Sequence, residues 1–375
     1  MRRLAILRRA KPPRTRGFAS ISSKNGSISD GSSIGSIGRS SSSSSSGSGS
    51  GGDLAQDDES DGRGGQRPGV NTLSSGKEAG HVSVLRDEVV DVFADTLGMR
   101  NEALIVDGTL GAGGHVEALL HRFETLPCNL RIVGVDRDPD ALEIARRRLA
   151  PWGDKFRAVH SNFSEMKTTL GDEVMPVDGV LLDLGVSSMQ LDRGERGFSF
   201  RNEGKLDMRM DPTSPVSAWT LVNKGPQNVL ETIFREYGEE RNARRIATQI
   251  VRARRKQAID STHDLVRAIA PMVDWKTARS HPAARIFQAL RIAVNGELDS
   301  LETFLDNVPN IVRPGGTVAI ISFHSLEDRL VKQAFKKYKD FTPCFRGVRK
   351  ASKEESTENP RARSAKLRAI ARRLQ

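Results

Sequence analysis

Ile105-Val106-Asp107-Gly108-Thr109-Leu110-Gly111-Ala112-Gly113-Gly114-His115 is the stretch that decides the fold. Residues 103–106 are apolar and short enough for one strand, and a glycine-rich turn follows at once. Beyond it Val116, Leu119, Leu120 and Phe123 recur at helical spacing. Glycines there let the backbone turn sharply and approach a ligand closely, at a helix start whose N–H groups are unpaired.

The pattern repeats outward from this unit. A second strand, 131–135, runs into Asp136, 28 residues after Gly108. A carboxylate at that strand end can accept hydrogen bonds from two ribose hydroxyls, which points to a nucleoside ligand. Val116 stands where a dinucleotide fingerprint needs its third glycine, so NAD is disfavoured, and no GK[ST] follows, so a P-loop is excluded. What remains is the D-x-x-x-G-x-G-G loop of S-adenosylmethionine enzymes. A third strand near 156–159 leads to Phe163, placed either against an adenine or in the core. A fourth, 179–182, ends in Asp183, and polar groups just past a parallel strand's carboxyl end sit over the ligand crevice. Strands alternating with helices predict an α/β, Rossmann-like fold.

Composition narrows the class. Two cysteines in 375 residues, Cys128 and Cys344, give no disulfide framework or zinc ribbon, and the seven histidines show no metal-ligand spacing, so no metal is expected. No apolar run approaches the roughly 20 residues that span a bilayer, so no membrane association is expected. The net charge of +11 is unevenly spread: residues 1–52 carry +8, 81–190 carry −7, 191–293 carry +7 and 345–375 carry +7. The start is rich in arginine, has no acid in its first twenty residues, and interleaves apolar residues. That reads as a cleaved transit peptide, for a mitochondrion or a chloroplast, with a basic RNA-binding arm as the other reading. The Ser/Gly run and acidic stretch after it lack the apolar residues to offset ordering entropy, so 1–80 is expected to be leader and disordered linker.

The strand–helix rhythm stops at 191 and resumes near 294. Residues 191–293 are therefore expected to be an inserted helical domain and 81–190 with 294–344 a discontinuous core. Its clearest helix, about 239–256, sets Ala243, Ile246, Ala247 and Ile250 on one face and Arg241, Arg245, Arg252 and Arg255 on another. Arginines so spaced can meet successive phosphates, or form a solvated face paired to Glu239 and Glu240. In the loop at 191–211, Arg196 and Phe198 can hold and stack an unpaired base, or anchor the loop. Residues 345–375 are expected to be a basic C-terminal tail.

Six collinear segments carry a resemblance. The glycine loop quoted above, Leu181-Leu182-Asp183-Leu184-Gly185-Val186-Ser187-Ser188, Glu195-Arg196-Gly197-Phe198-Ser199-Phe200, Leu206-Asp207-Met208-Arg209-Met210-Asp211, Leu290-Arg291-Ile292-Ala293-Val294-Asn295 and Ser322-Phe323-His324-Ser325-Leu326-Glu327-Asp328-Arg329 resemble the RsmH/MraW family. The match runs from His81 to the C-terminus, and Met189 departs from it where bacterial members commonly have proline. The resemblance implies a class I methyltransferase core that binds S-adenosyl-L-methionine and methylates N4 of a cytidine in small-subunit ribosomal RNA. It also implies that Gly113, Gly114, His115, Asp136, Phe163, Asp183 and Gln190 hold the cofactor. For the chemistry, Asp183 is the first candidate to accept a hydrogen bond from the N4 amine, and Asn295 and His324 are further candidates. Two other readings of the same residues are a methyltransferase with a different acceptor and an RNA-binding ribosome-assembly factor without required catalysis. The intact glycine loop, Asp136 and Asp183 argue against the last.

Overall fold

The computed structural model describes residues 83–272, 281 and 283–374. The expected leader and linker, 1–80, lie outside them. In chain order the elements are α1 (Arg86–Leu97), β1 (Glu102–Asp107), α2 (Gly114–Phe123), β2 (Asn129–Asp136), α3 (Pro139–Leu149), β3 (Phe156–His160), α4 (Met166–Leu170), β4 (Val177–Asp183) and α5 (Ser188–Asp192). There follow α6 (Ala218–Lys224), α7 (Gln227–Glu236), α8 (Ala243–Lys256), α9 (Thr262–Ile269), α10 (Ala284–Asn295) and α11 (Glu297–Ile311). The chain closes with β5 (Val312–Ser322), α12 (Ser325–Lys337), β6 (Phe341–Pro343), α13 (Lys353–Glu358) and β7 (Lys366–Arg372).

One seven-stranded sheet has the order β3-β2-β1-β4-β5-β7-β6. β1 to β5 run parallel, and β6 and β7 are antiparallel. β4 shows why an uninterrupted apolar run becomes a central parallel strand: helices cover both faces, and Val177, Val180, Leu181 and Leu182 are fully buried. After β1 the chain moves to β2 on one side and later returns to β4 on the other. The ends of β1 and β4 therefore diverge at a topological switch point, where a crevice opens beyond the strands' carboxyl ends. The Rossmann-like expectation holds.

The apolar residues form three clusters, two against the two faces of the sheet and a third within 198–294. In the third, Ala243, Ile246, Ala247 and Ile250 of α8 are buried, on the stripe their spacing predicted. The helix itself starts at Ala243 rather than near 239, because Glu239 has φ 47° and Asn242 is non-helical.

The C-terminal segment corrects an expectation. Instead of a tail, residues 366–372 form β7, paired along its length with β5, and Leu367, Ala369 and Ile370 are buried. The alternating basic residues are tied down: Lys366 and Arg368 pair with Asp328 at 3.0 and 2.8 Å, and Arg372 donates to the carbonyls of Pro309 and Val312. Among the described residues no helix is long and apolar enough to cross a membrane.

Candidate active site

A cavity of about 410 Å3 occupies the switch-point crevice, a size usual for small-ligand sites. The turns after β1, β2, β3 and β4 line it, together with Leu301, Phe323 and Glu327. A larger cavity of about 700 Å3, lined by Asn228, Thr232, Glu239, Glu302 and Arg329 among others, takes no residue from the strand ends.

The glycine loop is shaped for close approach. Gly113 has φ 83°, which L side chains rarely adopt, and caps the start of α2. A Cβ on Gly114 would stand 2.3 Å from Ser83 Oγ, so the wall closes against this backbone only if no side chain intervenes. Asp136 Oδ2 accepts from Gly111 N at 2.8 Å and Oδ1 from Asp138 N at 2.9 Å. A carboxylate has about four lone-pair sites, so Asp136 keeps two for ribose hydroxyls while the two N–H groups fix its plane. Burial raises its pKa.

Beneath the loop lies a cluster of titratable groups. Asp183, at the end of β4, is held by its own N–H donating to Thr109 Oγ1 at 2.6 Å. His115 Nε2 stands 3.5 Å from Asp183 Oδ2. Both ring nitrogens of His115 and Asp183 Oδ1 are buried and have no hydrogen-bond partner among the described residues. Buried polar atoms are almost always paired, so these orphans face a place where a ligand belongs. Asp107, 1% exposed, completes the cluster, and burial pushes its carboxyl up to about 7, against the opposing influence of His115 and the Thr109 N–H. Asp107 opens the D-x-x-x-G-x-G-G loop in the sequence but was assigned no site role there; its position at the strand end was the available signal.

These features fit S-adenosylmethionine: a carboxylate for the ribose, a backbone cradle, unpartnered polar atoms and an aromatic. Phe163 lines the cavity and meets Phe304 edge to face at 6.1 Å, so it serves both cavity and core. Gln190 also lines the cavity, but its amide is spent internally. Nε2 donates to Asp138 Oδ2 at 2.8 Å and Oε1 accepts from Ser187 N. Met189 lines the same wall.

Four expected site residues have structural work instead. Asn295 is buried, with Oδ1 accepting from Met210 N and Nδ2 donating to the Met208 and Arg291 carbonyls, and it does not line the cavity. His324 caps α12: Nδ1 accepts from Glu327 N, and Nε2 lies 3.1 Å from Glu327 Oε1. Nε2 forms no hydrogen bond among the described residues, but the ring faces Glu327 and His324 does not line the cavity. Arg196 reaches no solvent-facing ligand; it pairs with buried Asp138 at 3.0 Å and donates to the Arg209 and Met210 carbonyls. Phe198 is buried in the third cluster with the Arg196 guanidinium 5.9 Å above its ring. For Asn295 and Arg196 the residue type suited a ligand, but the partners lie far along the chain and cannot be seen by spacing, whereas His324 meets Glu327 three residues on in a capping box that spacing does show.

Ligand atoms of Glu297, His324 and Glu327 lie within 4.8 Å of one another. Arg291 forks Glu297 at 2.9 and 2.7 Å. Burial raises Glu327, but the hydrogen bond and charge of His324 and the charge of Arg291 outweigh it and hold Glu327 below the usual range. The cluster carries its own counter-charge.

The arginines of α8 behave differently. Arg241, just before the helix, and Arg245, Arg252 and Arg255 are exposed, and none has an ion-pair partner among the described residues. Glu239 and Glu240 do not pair with them. Glu239 accepts from Ser325 and Arg329, and Glu240 lies 3.9 Å from Arg285.

Comparison with known proteins follows the same line. The MraW methylase family matches residues 78–373. A "Ribosomal RNA small subunit methyltransferase H" of Pelobacter propionicus is 45% identical over 77% of this chain and 97% of its own length. Its namesake from Carboxydothermus hydrogenoformans is 46% identical over 78% and 97%. Among solved structures, a putative rRNA-methylase from Clostridium thermocellum is similar at 11% identity and a TM-score of 0.37, over 78% of this chain and 98% of its own, too slight a likeness to carry weight. Family match, sheet order and cofactor cavity agree: the chain belongs to the MraW methylase family and is an S-adenosylmethionine-dependent methyltransferase.

Proposed function

We propose that this enzyme methylates N4 of a cytidine in the small-subunit ribosomal RNA of a mitochondrion or chloroplast. The observation that carries the chemistry is Asp183 Oδ1, buried at the cavity and without a hydrogen-bond partner among the described residues. When bound, S-adenosylmethionine supplies an electrophilic methyl group on a sulfonium. Gly113, Gly114 and His115 would hold its methionine end, Asp136 its ribose and Phe163 its base. The N4 lone pair is delocalised into the cytosine ring, so an acceptor drawing on an N4–H returns density to the nitrogen. Asp183 is placed for that. With the methyl group transferred and the sulfonium left as a neutral thioether, Asp183 would take the surplus N4 proton and pass it to water. Positioning and charge placement supply the rate, since no covalent nucleophile is needed.

Three features support the acceptor and the address. The curated relatives are small-subunit rRNA methyltransferases by name. The unpaired arginines of α8 suit phosphates, beside a core of net negative charge that would repel them. The arginine-rich, acid-free start suits organellar import.

The test is to incubate the protein with labelled S-adenosylmethionine and unmodified organellar small subunits, then analyse the RNA nucleosides by mass spectrometry. N4-methylcytidine that disappears with Asp183→Ala is expected. Cofactor binding without methylated cytidine would reject the acceptor.

A further inference from the structure

Among the described residues lining the cofactor cavity, Met210 alone comes from 193–296. Of the described residues between α5 and α11, Met210 is thus the one point of contact with the cavity. The remaining walls belong to the strand-end turns and the helices α2, α3 and α5 that follow them, to the start of the described chain, to α11, to Phe323 and Glu327 around the start of α12, and to Arg361.

The turn that presents Met210 is over-determined. Met208, two residues earlier, has φ 61° and is fully buried, a conformation that persists in a non-glycine residue only when its surroundings impose it. Met208 N donates to the Arg196 carbonyl and Met208 O accepts from Asn295 Nδ2. Met210 N donates to Asn295 Oδ1, and Met210 O and Arg209 O both accept from Arg196. Arg209 in turn forks Asp207 at 2.8 and 2.7 Å. Strain held by this many bonds at a cavity wall marks a place where one side chain must stand in one position.

Arg196 ties that position to the cofactor side. The same guanidinium that holds the two carbonyls bonds Asp138 Oδ2, and Asp138 is the N-cap of α3, two residues after the ribose carboxylate. Gln190 bonds the same oxygen. A shift of the 207–210 turn relative to Asp136 would have to break a buried ion pair.

We infer that Met210 is the wall against which the acceptor base lies, and that Arg196 is its positioning residue, holding that wall in register with the cofactor. An unbranched thioether packs well against the flat face of a base. This assignment rests on the RNA acceptor proposed above.

The experiment measures KM for unmodified small subunits, kcat, and the Kd for S-adenosylhomocysteine in the wild type, Met210→Ala, Met210→Leu and Arg196→Lys. Met210→Ala is expected to raise the KM for RNA about tenfold with the Kd for S-adenosylhomocysteine within twofold of the wild type. Met210→Leu, of similar volume, is expected to restore it. Arg196→Lys keeps the charge but loses the fork and is expected to share the KM defect. A tenfold weaker Kd for S-adenosylhomocysteine with KM for RNA unmoved would place Met210 on the cofactor and overturn the assignment, as would no change in either. Absence of transfer by the wild type would overturn the acceptor reading itself, before any variant is compared.

Discussion

The cofactor cavity and the inserted segment draw on the same residue types, yet they settle their polar groups in opposite ways. Around the glycine loop, buried His115 and the buried Oδ1 of half-buried Asp183 have atoms left without partners, and Asp136 keeps lone pairs free beyond its two backbone bonds. Between α5 and α11, Arg196 and Asn295 are just as suggestive by type, and their side chains bond to partners within the chain. On α8 the arrangement reverses again, with exposed arginines that pair with no acid among the described residues. A polar side chain announces a ligand by what it lacks.

The largest effect is expected at Asp136. Asp136→Ala removes the ribose acceptors and leaves Gly111 N and Asp138 N without their bonds, so S-adenosylhomocysteine affinity by calorimetry should fall at least about 100-fold, at about 1.5–3 kcal/mol per charged hydrogen bond. A loss of less than about fivefold would mean the free lone pairs are not used. Next in size is Arg196→Met, which leaves Asp138 buried with Gln190 as its remaining side-chain partner. Breaking one side of a buried pair costs about 3–5 kcal/mol, so denaturant unfolding should report a large loss of stability. Unchanged stability would show that the ion pair is not what holds the loop.

How much of this could be read from the chain depends on the range of the interaction. β1, the glycine loop and Asp136 are local: strand, turn and helix announce themselves within a dozen residues, and the switch-point cavity follows from their order. β7 was missed because Lys366, Arg368 and Arg372 sit between apolar Leu367, Ala369 and Ile370, and the charges masked a strand that alternates. Asn295 and Arg196 were misassigned because their partners lie 85 and 58 residues away. The α8 stripe was legible, but its lack of acid partners was not, since Glu239 turns to Ser325 and Arg329.

A smaller effect is expected at Asp107, and it carries a sign. The folded-state pKa, about 7, lies above the unfolded value near 3.9, so the native state binds the extra proton between those limits and stability falls as pH rises through that window. Asp107→Asn removes the titration and can still accept from Thr109 N. Melting followed without cofactor should show the variant a few degrees more stable at pH 8, with the advantage fading toward pH 4. An advantage independent of pH would mean that Asp107 is ionised in the folded protein throughout.

The smallest effect on stability, within about 0.5 kcal/mol, is expected for Arg245→Ala with Arg252→Ala on the exposed face of α8. That double variant separates unpartnered groups that bind ligands from partnered ones that hold the fold. Affinity for a small-subunit rRNA fragment is measured against salt concentration for the wild type, the α8 double variant and Arg196→Lys. The slope of log affinity against log salt should become shallower by about 1.4–1.8 in the double variant, one phosphate per arginine, and stay at the wild-type value in Arg196→Lys. A double variant with the wild-type slope would contradict the account, because the unpaired arginines of α8 would then meet no phosphate.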